Sequence, residues 1–307
     1  MPTLKEIKSR IGSVQNTLKI TSAMKLVSSA KLRKAQAAIE SMRPYQQKLQ
    51  EILALASVGG SNSVSSALLR SPVRVNAPET ESLPPEAKTV IVAMASNSSL
   101  CGGFNANVIA KAKAVLKEHP DATVYSIGRK MADAMRKAGY PSPQDFTSLS
   151  EKPSYAPVSD LVDKFIEDDV DVILVYNHFV STGKQVPVEE PLISSSAEAS
   201  DTPQSSSSAP QSSSSGLSRG SQTDVIIEPS KKELLDALYP KTLKIKLFAA
   251  LLDSAAAEHA ARTVAMQTAT DNGEDLLAEL TLQYNKGRQP KITNEILDLA
   301  GGQQARD

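Results

Sequence analysis

Tryptophan is absent from this chain of 307 residues, and its aromatic complement is limited to 7 tyrosines and 5 phenylalanines. A large aromatic-rich core is thereby excluded, and Ala- and Leu-rich helix packing fits better. There is one cysteine, Cys101, so no internal disulfide can form. The 3 histidines, His119, His178 and His259, stand apart in the sequence, so no Cys/His cluster suggests a metal, and nothing evident orients Cys101 as a nucleophile. Net charge is zero, which argues against a protein that binds nucleic acid over its whole surface. No apolar run approaches the roughly 18–20 residues that a membrane helix needs. The opening MPTLKEIKSR lacks the apolar stretch of a signal peptide. The expectation is a soluble intracellular protein, or one held at a membrane only by partners.

What is present is concentrated at the two ends. Leu4, Ile7, Ile11, Val14 and Leu18 follow the alternating four-three spacing of a coiled-coil seam. The apolar pattern then slips to Ile20, Met24 and Val27, predicting a change in winding, and resumes through Leu32, Ala35, Ile39 and Met42. Pro44 is expected to bend the helix without ending it, since Tyr45, Leu49, Ile52 and Leu53 continue the stripe up to Gly59-Gly60. At the other end a short helix over residues 230–238 is expected to stop near Tyr239-Pro240. A second helix then starts near Thr242 and runs through Leu247, Leu251, an alanine-rich stretch from Ala249 to Ala269, Leu276, Leu280 and Tyr284. Pro290 is awkward there, because proline inside a helix costs about 3 kcal/mol or forces a kink. Helices of this length span roughly 80–90 Å, and only another helix alongside can cover so long a stripe. The pattern predicts an antiparallel coiled coil of the N- and C-terminal helices, with the alanines keeping the shaft thin.

Between the ends lies a predicted α/β domain with a Rossmann-like open sheet. Short apolar runs at 89–95, 124–128 and 170–176 read as strands, helices are expected at 106–118, 130–138 and 159–167, and 186–193 reads as an edge strand. The expected organisation is an N-terminal coiled-coil helix at 1–58 and a linker at 59–87. The α/β domain covers 88–193, with a Ser-rich disordered insert at 194–222 and a return to the domain at 223–241, where Val225-Ile226-Ile227 rejoins the sheet. The C-terminal coiled-coil helix occupies 242–307.

Three features invite a chemical reading. The loop LCGGFN at 100–105 follows a strand and precedes a helix, but lacks the full GxGxxG order, and paired glycines at such turns more often serve tight packing. Residues 1–48 carry ten lysines and arginines against Glu6 and Glu40, among them Lys25, Lys31, Arg33 and Lys34 beside small residues. A basic collar facing an acidic protein surface fits these charges; no aromatic residues interleave with them as single-stranded nucleic acid would favour. His259 and Arg262 read as a solvent-facing pair, and the polar run 284–289 reads as a contact site on a tip beyond the end of the partner helix.

SVQNTLKITSAMKLVSSAKLRKAQ at 13–36, LCGGFN at 100–105, EHAARTVAMQTATDN at 258–272 and LTLQYNKGRQPKITNEI at 280–296 together resemble the gamma subunit of F-type ATP synthases. The resemblance implies a rotor shaft with no catalytic site, cofactor, metal or small-molecule ligand of its own, and no nucleic acid partner. Its coiled coil would turn inside the catalytic head of alpha and beta subunits, where ATP forms on beta. Its α/β domain would rest on the epsilon subunit and the membrane c-ring. The family's contact positions correspond to Met24 and Lys25 in the first helix and to Arg288, Gln289 and Thr293 in the last, with Lys31, Arg33 and Lys34 in the collar facing an acidic segment of beta. The implied location is peripheral, at the cytoplasmic face of a bacterial inner membrane, with an organellar inner membrane or thylakoid as the alternative. The sequence departs from the family ahead of LCGG, where Asn97 and Ser99 replace the usual Asp and Gly. With Cys101 alone, a regulatory dithiol is impossible. A nucleotide-binding enzyme using LCGGFN, and a coiled-coil scaffold or nucleic-acid binder using the basic helix, remain as alternatives.

Overall fold

The computed structural model describes residues 3–58, 88–193 and 230–304. The expected linker 59–87, the Ser-rich tract 194–222 and the strand at Val225-Ile226-Ile227 lie outside the described residues. Two long helices, α1 (Leu4–Val58) and α6 (Lys231–Gln304), enclose a domain made of β1 (Thr89–Met94), α2 (Phe104–Glu118), β2 (Thr123–Ile127), α3 (Arg129–Lys137), α4 (Thr147–Glu151), α5 (Tyr155–Glu167), β3 (Asp171–Ser181) and β4 (Lys184–Ile193).

α1 has 55 residues and α6 has 74, so they run roughly 80 and 110 Å. They lie antiparallel. Leu4 packs beside Gly287 and Leu18 beside Gly273, two heptads apart on each helix, and Thr21 meets Thr270, hydroxyl to hydroxyl at 3.0 Å. At Gly273 an added Cβ would come within 2.7 Å of Leu18 Cδ2, so the absent side chain is the hole for the leucine knob. Neither Pro44 nor Pro290 interrupts its helix, and Pro240 does not separate two helices: α6 is continuous from Lys231. That corrects the expected start near Thr242. Around Pro240, Leu243 and Leu247 are buried in the domain core, Tyr239 packs against it, and Thr242 donates its hydroxyl to the Leu238 carbonyl at 2.9 Å. Burial on both sides of the proline holds the helix through it.

The expected slip of the α1 seam does not occur. Thr21, Lys25 and Ser28 keep the heptad in phase between Leu18 and Leu32, and none of the five is fully exposed. Ile20, Met24, Leu26 and Val27 face outward at 59, 38, 70 and 57 % exposure, and Tyr45 and Ile52 are also exposed. Hydropathy alone pointed to the wrong face, because the seam here uses small and polar residues.

The sheet has the order β2-β1-β3-β4, with β1 parallel to both β2 and β3 and β4 antiparallel on β3. The strands expected at 89–95, 124–128, 170–176 and 186–193 are present. β3 continues to Ser181, beyond the apolar run, as one arm of a hairpin with β4. The short helix α4 was not anticipated. Alternate strand residues face opposite layers. Ile91, Ala93 and Val124 pack on α2 and α3 through Val108, Val115, Met131 and Met135. Val92, Met94, Leu174 and Tyr125 pack on α5 and the first third of α6 through Leu161, Phe165, Leu247 and Leu251. The axle helix is thus itself part of the domain core.

Gly128, at the turn from β2 into α3, has φ +95°, and a Cβ there would lie 2.0 Å from the Ala95 carbonyl oxygen. Gly128→Ala is expected to destabilise the folded chain by at least about 2 kcal/mol, read as a lower denaturation midpoint.

Candidate functional site

The exposed surface of the coiled coil holds the positions that sequence singles out, in two patches. In the first, Met24 is exposed and Lys25 half-buried, with Arg33 and Lys34 exposed two to three turns further down α1. In the second, Arg288, Gln289 and Thr293 are all exposed on α6. The register of Thr21 on Thr270 puts the two patches roughly 30 Å apart along the coiled coil. Because Leu4 pairs with Gly287, α6 from Arg288 onward extends past the described start of α1, and residues 291–297 are all exposed. Two-stranded packing covers one side of each helix only. Ile292, Ile296 and Leu297 on the lone tip, with Ile20, Leu26 and Val27 below, leave apolar surface of the kind that marks protein contacts.

Lys31 sits apart from this outward array. It overhangs a crevice of about 310 Å³ between α1, the β1–α2 loop and α6, lined also by Ser98, Arg129, Glu151 and Arg262. Lys34 borders a neighbouring cavity of about 640 Å³, floored by Ala35, Ala38, Phe248 and Leu252.

His259 and Arg262 are not a solvent-facing pair. The Arg262 side chain is 12 % exposed; it donates to Glu258 Oε1 at 2.6 Å and to Ser98 Oγ at 2.8 Å. Burial raises the Glu258 carboxyl pKa, opposed by the charges of Arg262 and Lys31. His259 Nδ1 is buried without a hydrogen-bond partner among the described residues; burial first, then the Arg262 and Lys31 cations, push its pKa down to about 4. The sequence did carry a signal for the pair, since Glu258 and Arg262 stand four apart on a helix.

The LCGGFN loop sends two side chains inward and leaves Leu100, Gly102 and Gly103 exposed. Cys101 and Phe104 are buried against Ala257 and Ala261 of α6, and Gly102, at φ +57°, faces Ala265. Asn105 Oδ1 accepts from the Ser96 amide at 3.1 Å and the Ser96 hydroxyl at 3.0 Å. Asn97 bridges the Thr147 carbonyl and the Arg129 amide. In open α/β sheets ligands sit beyond the carboxyl ends of the strands. Here α6 lies against the loop that follows β1 at that end, and Gly102 is suited to its place by its positive φ, since a Cβ there would meet Ala265 only at an ordinary 3.8 Å. The alanine stretch of α6 therefore belongs chiefly to this joint: Ala256 and Ala260 meet Leu32 of α1, while Ala257 and Ala261 meet the loop. The close interhelical approach expected of these alanines is present where Ala256 and Ala260 meet Leu32.

Polar ties between domain and axle were also not foreseen. Lys244 pairs with Asp163 at 2.7 Å, and Lys246 with Glu190 at 2.9 Å, where Tyr176 also donates to Glu190 at 3.1 Å. His178 Nδ1 meets Asp253 Oδ2, and that hydrogen bond is the largest cause of a raised His178 pKa; burial and Arg43 oppose it, while Asp253 and Glu190 charges add to it.

The profile of the family described as ATP synthase matches residues 3–305. The chain is 43 % identical to the ATP synthase gamma chain of Phocaeicola vulgatus, over 99 % of this chain and 100 % of that one. It is 44 % identical to the ATP synthase gamma chain of Bacteroides fragilis, over 99 % and 100 %. Its fold is similar to a chain in the cryo-EM structure of the Euglena gracilis mitochondrial ATP synthase rotor. That match has a TM-score of 0.58 and 16 % identity, and covers 94 % of this chain and 98 % of the other. A chain of the same enzyme's OSCP/F1/c-ring structure gives a TM-score of 0.62 at 17 % identity, covering 98 % and 94 %.

At the joint, Arg262→Ala leaves the buried Glu258 without its cation and is expected to cost about 3 kcal/mol in denaturant unfolding. Glu258→Gln combined with Arg262→Met should recover part of that loss. The His178–Asp253 pair has its own pH signature. A histidine whose folded pKa is raised contributes fully below its unfolded value of about 6.5 and loses that contribution as pH rises through the folded value. The stability difference between the parent chain and His178→Ala should therefore be largest near about pH 6 and shrink toward about pH 9.

Proposed function

The chain belongs to the ATP synthase gamma-chain family, the central rotor of F-type ATP synthase, and from that premise we propose how its exposed faces do the rotor's work. The subunit transmits torque from the membrane c-ring to the catalytic beta subunits and so drives ATP synthesis from ADP and phosphate. Chemistry proceeds on beta, and the α/β domain rests on the epsilon subunit and the c-ring. No described helix is long and apolar enough to cross a membrane. In this reading the partners hold the chain peripherally, at the cytoplasmic face of a bacterial inner membrane.

The observation that carries the reading is the outward display of Ile20, Met24, Leu26 and Val27 around an unbroken seam. Apolar residues kept off a seam that could have used them are surface reserved for another protein. Torque transfer needs two properties. The shaft must resist slip, which knob-into-hole contacts such as Leu18 on Gly273 supply. It must also present a different face to each beta subunit as it turns, and two helices side by side have no threefold symmetry.

Biasing one beta subunit between 1:99 and 99:1 takes about 5.5 kcal/mol. Met24 and Lys25 supply apolar contact and charge at the collar, with Arg33 and Lys34 toward an acidic lever segment of beta and Lys31 at its inner edge. Arg288 and Gln289 hydrogen-bond a beta-subunit loop at the tip, with Thr293 as a neighbouring contact. A hydrogen bond from a charged donor is worth about 1.5–3 kcal/mol, a large share of that bias.

Arg288→Ala is thus expected to lower coupled ATP synthesis about tenfold in the reassembled complex while leaving the fold intact. Unchanged rates of both synthesis and hydrolysis would remove the residue from this role.

A further inference from the structure

The ties between the sheet domain and the axle are unevenly distributed. Among the described residues, those found run to α6: from Asp163 of α5 to Lys244, from Glu190 of β4 to Lys246, from His178 of β3 to Asp253, and from the β1–α2 loop to Arg262. Lys246 also donates to the Pro191 carbonyl at 2.8 Å. These anchor points extend over roughly 27 Å of one helix and engage four different elements of the domain. α6 also enters the domain core, through Leu243, Leu247 and Leu251. α1 meets the domain chiefly where Phe179 packs on Leu32, Ala256 and Ala260, and is otherwise held against α6.

We infer that torque enters the shaft through α6 alone, and that the pairs Lys244–Asp163, Lys246–Glu190 and His178–Asp253 form the clasp that delivers it, α1 being carried round by its seam with α6. The inference rests on the rotor reading and adds to it a route and a set of positioning residues. Geometry favours transmission over stability as their role. The six side chains are partly exposed, from 16 to 51 %, where single ion pairs stabilise little. Lys244, Lys246 and Asp253 flank the apolar contact that Leu243, Leu247 and Leu251 make with the domain, so the pairs resist twisting of one body on the other.

The test uses the whole complex on membranes, with full-length chain replacing the native subunit. Hydrolysis of ATP by the head and ATP-driven proton pumping are measured side by side. Combining Lys244→Asp, Lys246→Glu and His178→Ala should lower protons pumped per ATP hydrolysed about threefold while hydrolysis persists. Restoring opposite charges, with Asp163→Lys and Glu190→Lys added, should bring the ratio back. Arg43→Ala, on the α1 side of a cleft of about 180 Å³ also lined by His178, Glu190, Lys246 and Asp253, should leave the ratio unchanged. An unaltered ratio in the triple variant, no recovery on charge exchange, or an equal loss in Arg43→Ala would each overturn the route through α6. Failure of the unsubstituted chain to restore pumping at all would instead overturn the rotor reading.

Discussion

The fold depends on one helix being small on two faces at once. Within a few turns of α6, Ala256 and Ala260 receive α1 while Ala257 and Ala261 receive the loop that follows β1. Methyl groups on both faces let three elements converge at short distance; interaxial separations of packed helices follow the side chains between them. A larger residue at any of these turns would lift away either the partner helix or the sheet domain. The buried Glu258–Arg262 pair sits among those alanines and fixes the rotation of α6 about its own axis, since Arg262 must also reach Ser98.

From that joint the molecule divides into parts with opposite burial. Toward the domain, α6 is surrounded by apolar side chains from the sheet and α5. Away from it, α6 has α1 on one side and, past Gly287, nothing among the described residues. The same helix thus serves as core element, coiled-coil strand and free tip. Its composition changes accordingly, from leucine through alanine to a mixture rich in polar groups. The tip and the collar are the stretches left uncovered, and in the proposed reading another protein covers them.

Much of this was legible in the residues. The spacing of Leu4, Ile7, Ile11, Val14 and Leu18 fixes a heptad, and short runs such as 89–95 mark buried parallel strands. What misled was reading apolarity as inwardness. Between Leu18 and Leu32 the inward positions are Thr21, Lys25 and Ser28, and the outward ones are Ile20, Met24 and Val27. A seam can be polar where a hydroxyl finds another across it, as Thr21 finds Thr270. Pro240 misled likewise, because tertiary burial on both flanks outweighs a local preference. The joint and the clasp were beyond sequence reasoning for a different cause. Arg262 with Ser98 and His178 with Asp253 are separated by 164 and 75 residues, and no periodicity relates them.

The antiparallel seam also sets a schedule for biosynthesis. Thr21 and its partner Thr270 are 249 residues apart, so at about 5–20 residues per second the ribosome releases the first helix roughly 10–50 seconds before the second exists. Throughout that interval the nascent chain exposes a long greasy stripe with no mate, and the sheet domain lacks the helix that completes one of its faces. Whatever shields those surfaces in the cell must act early and let go late.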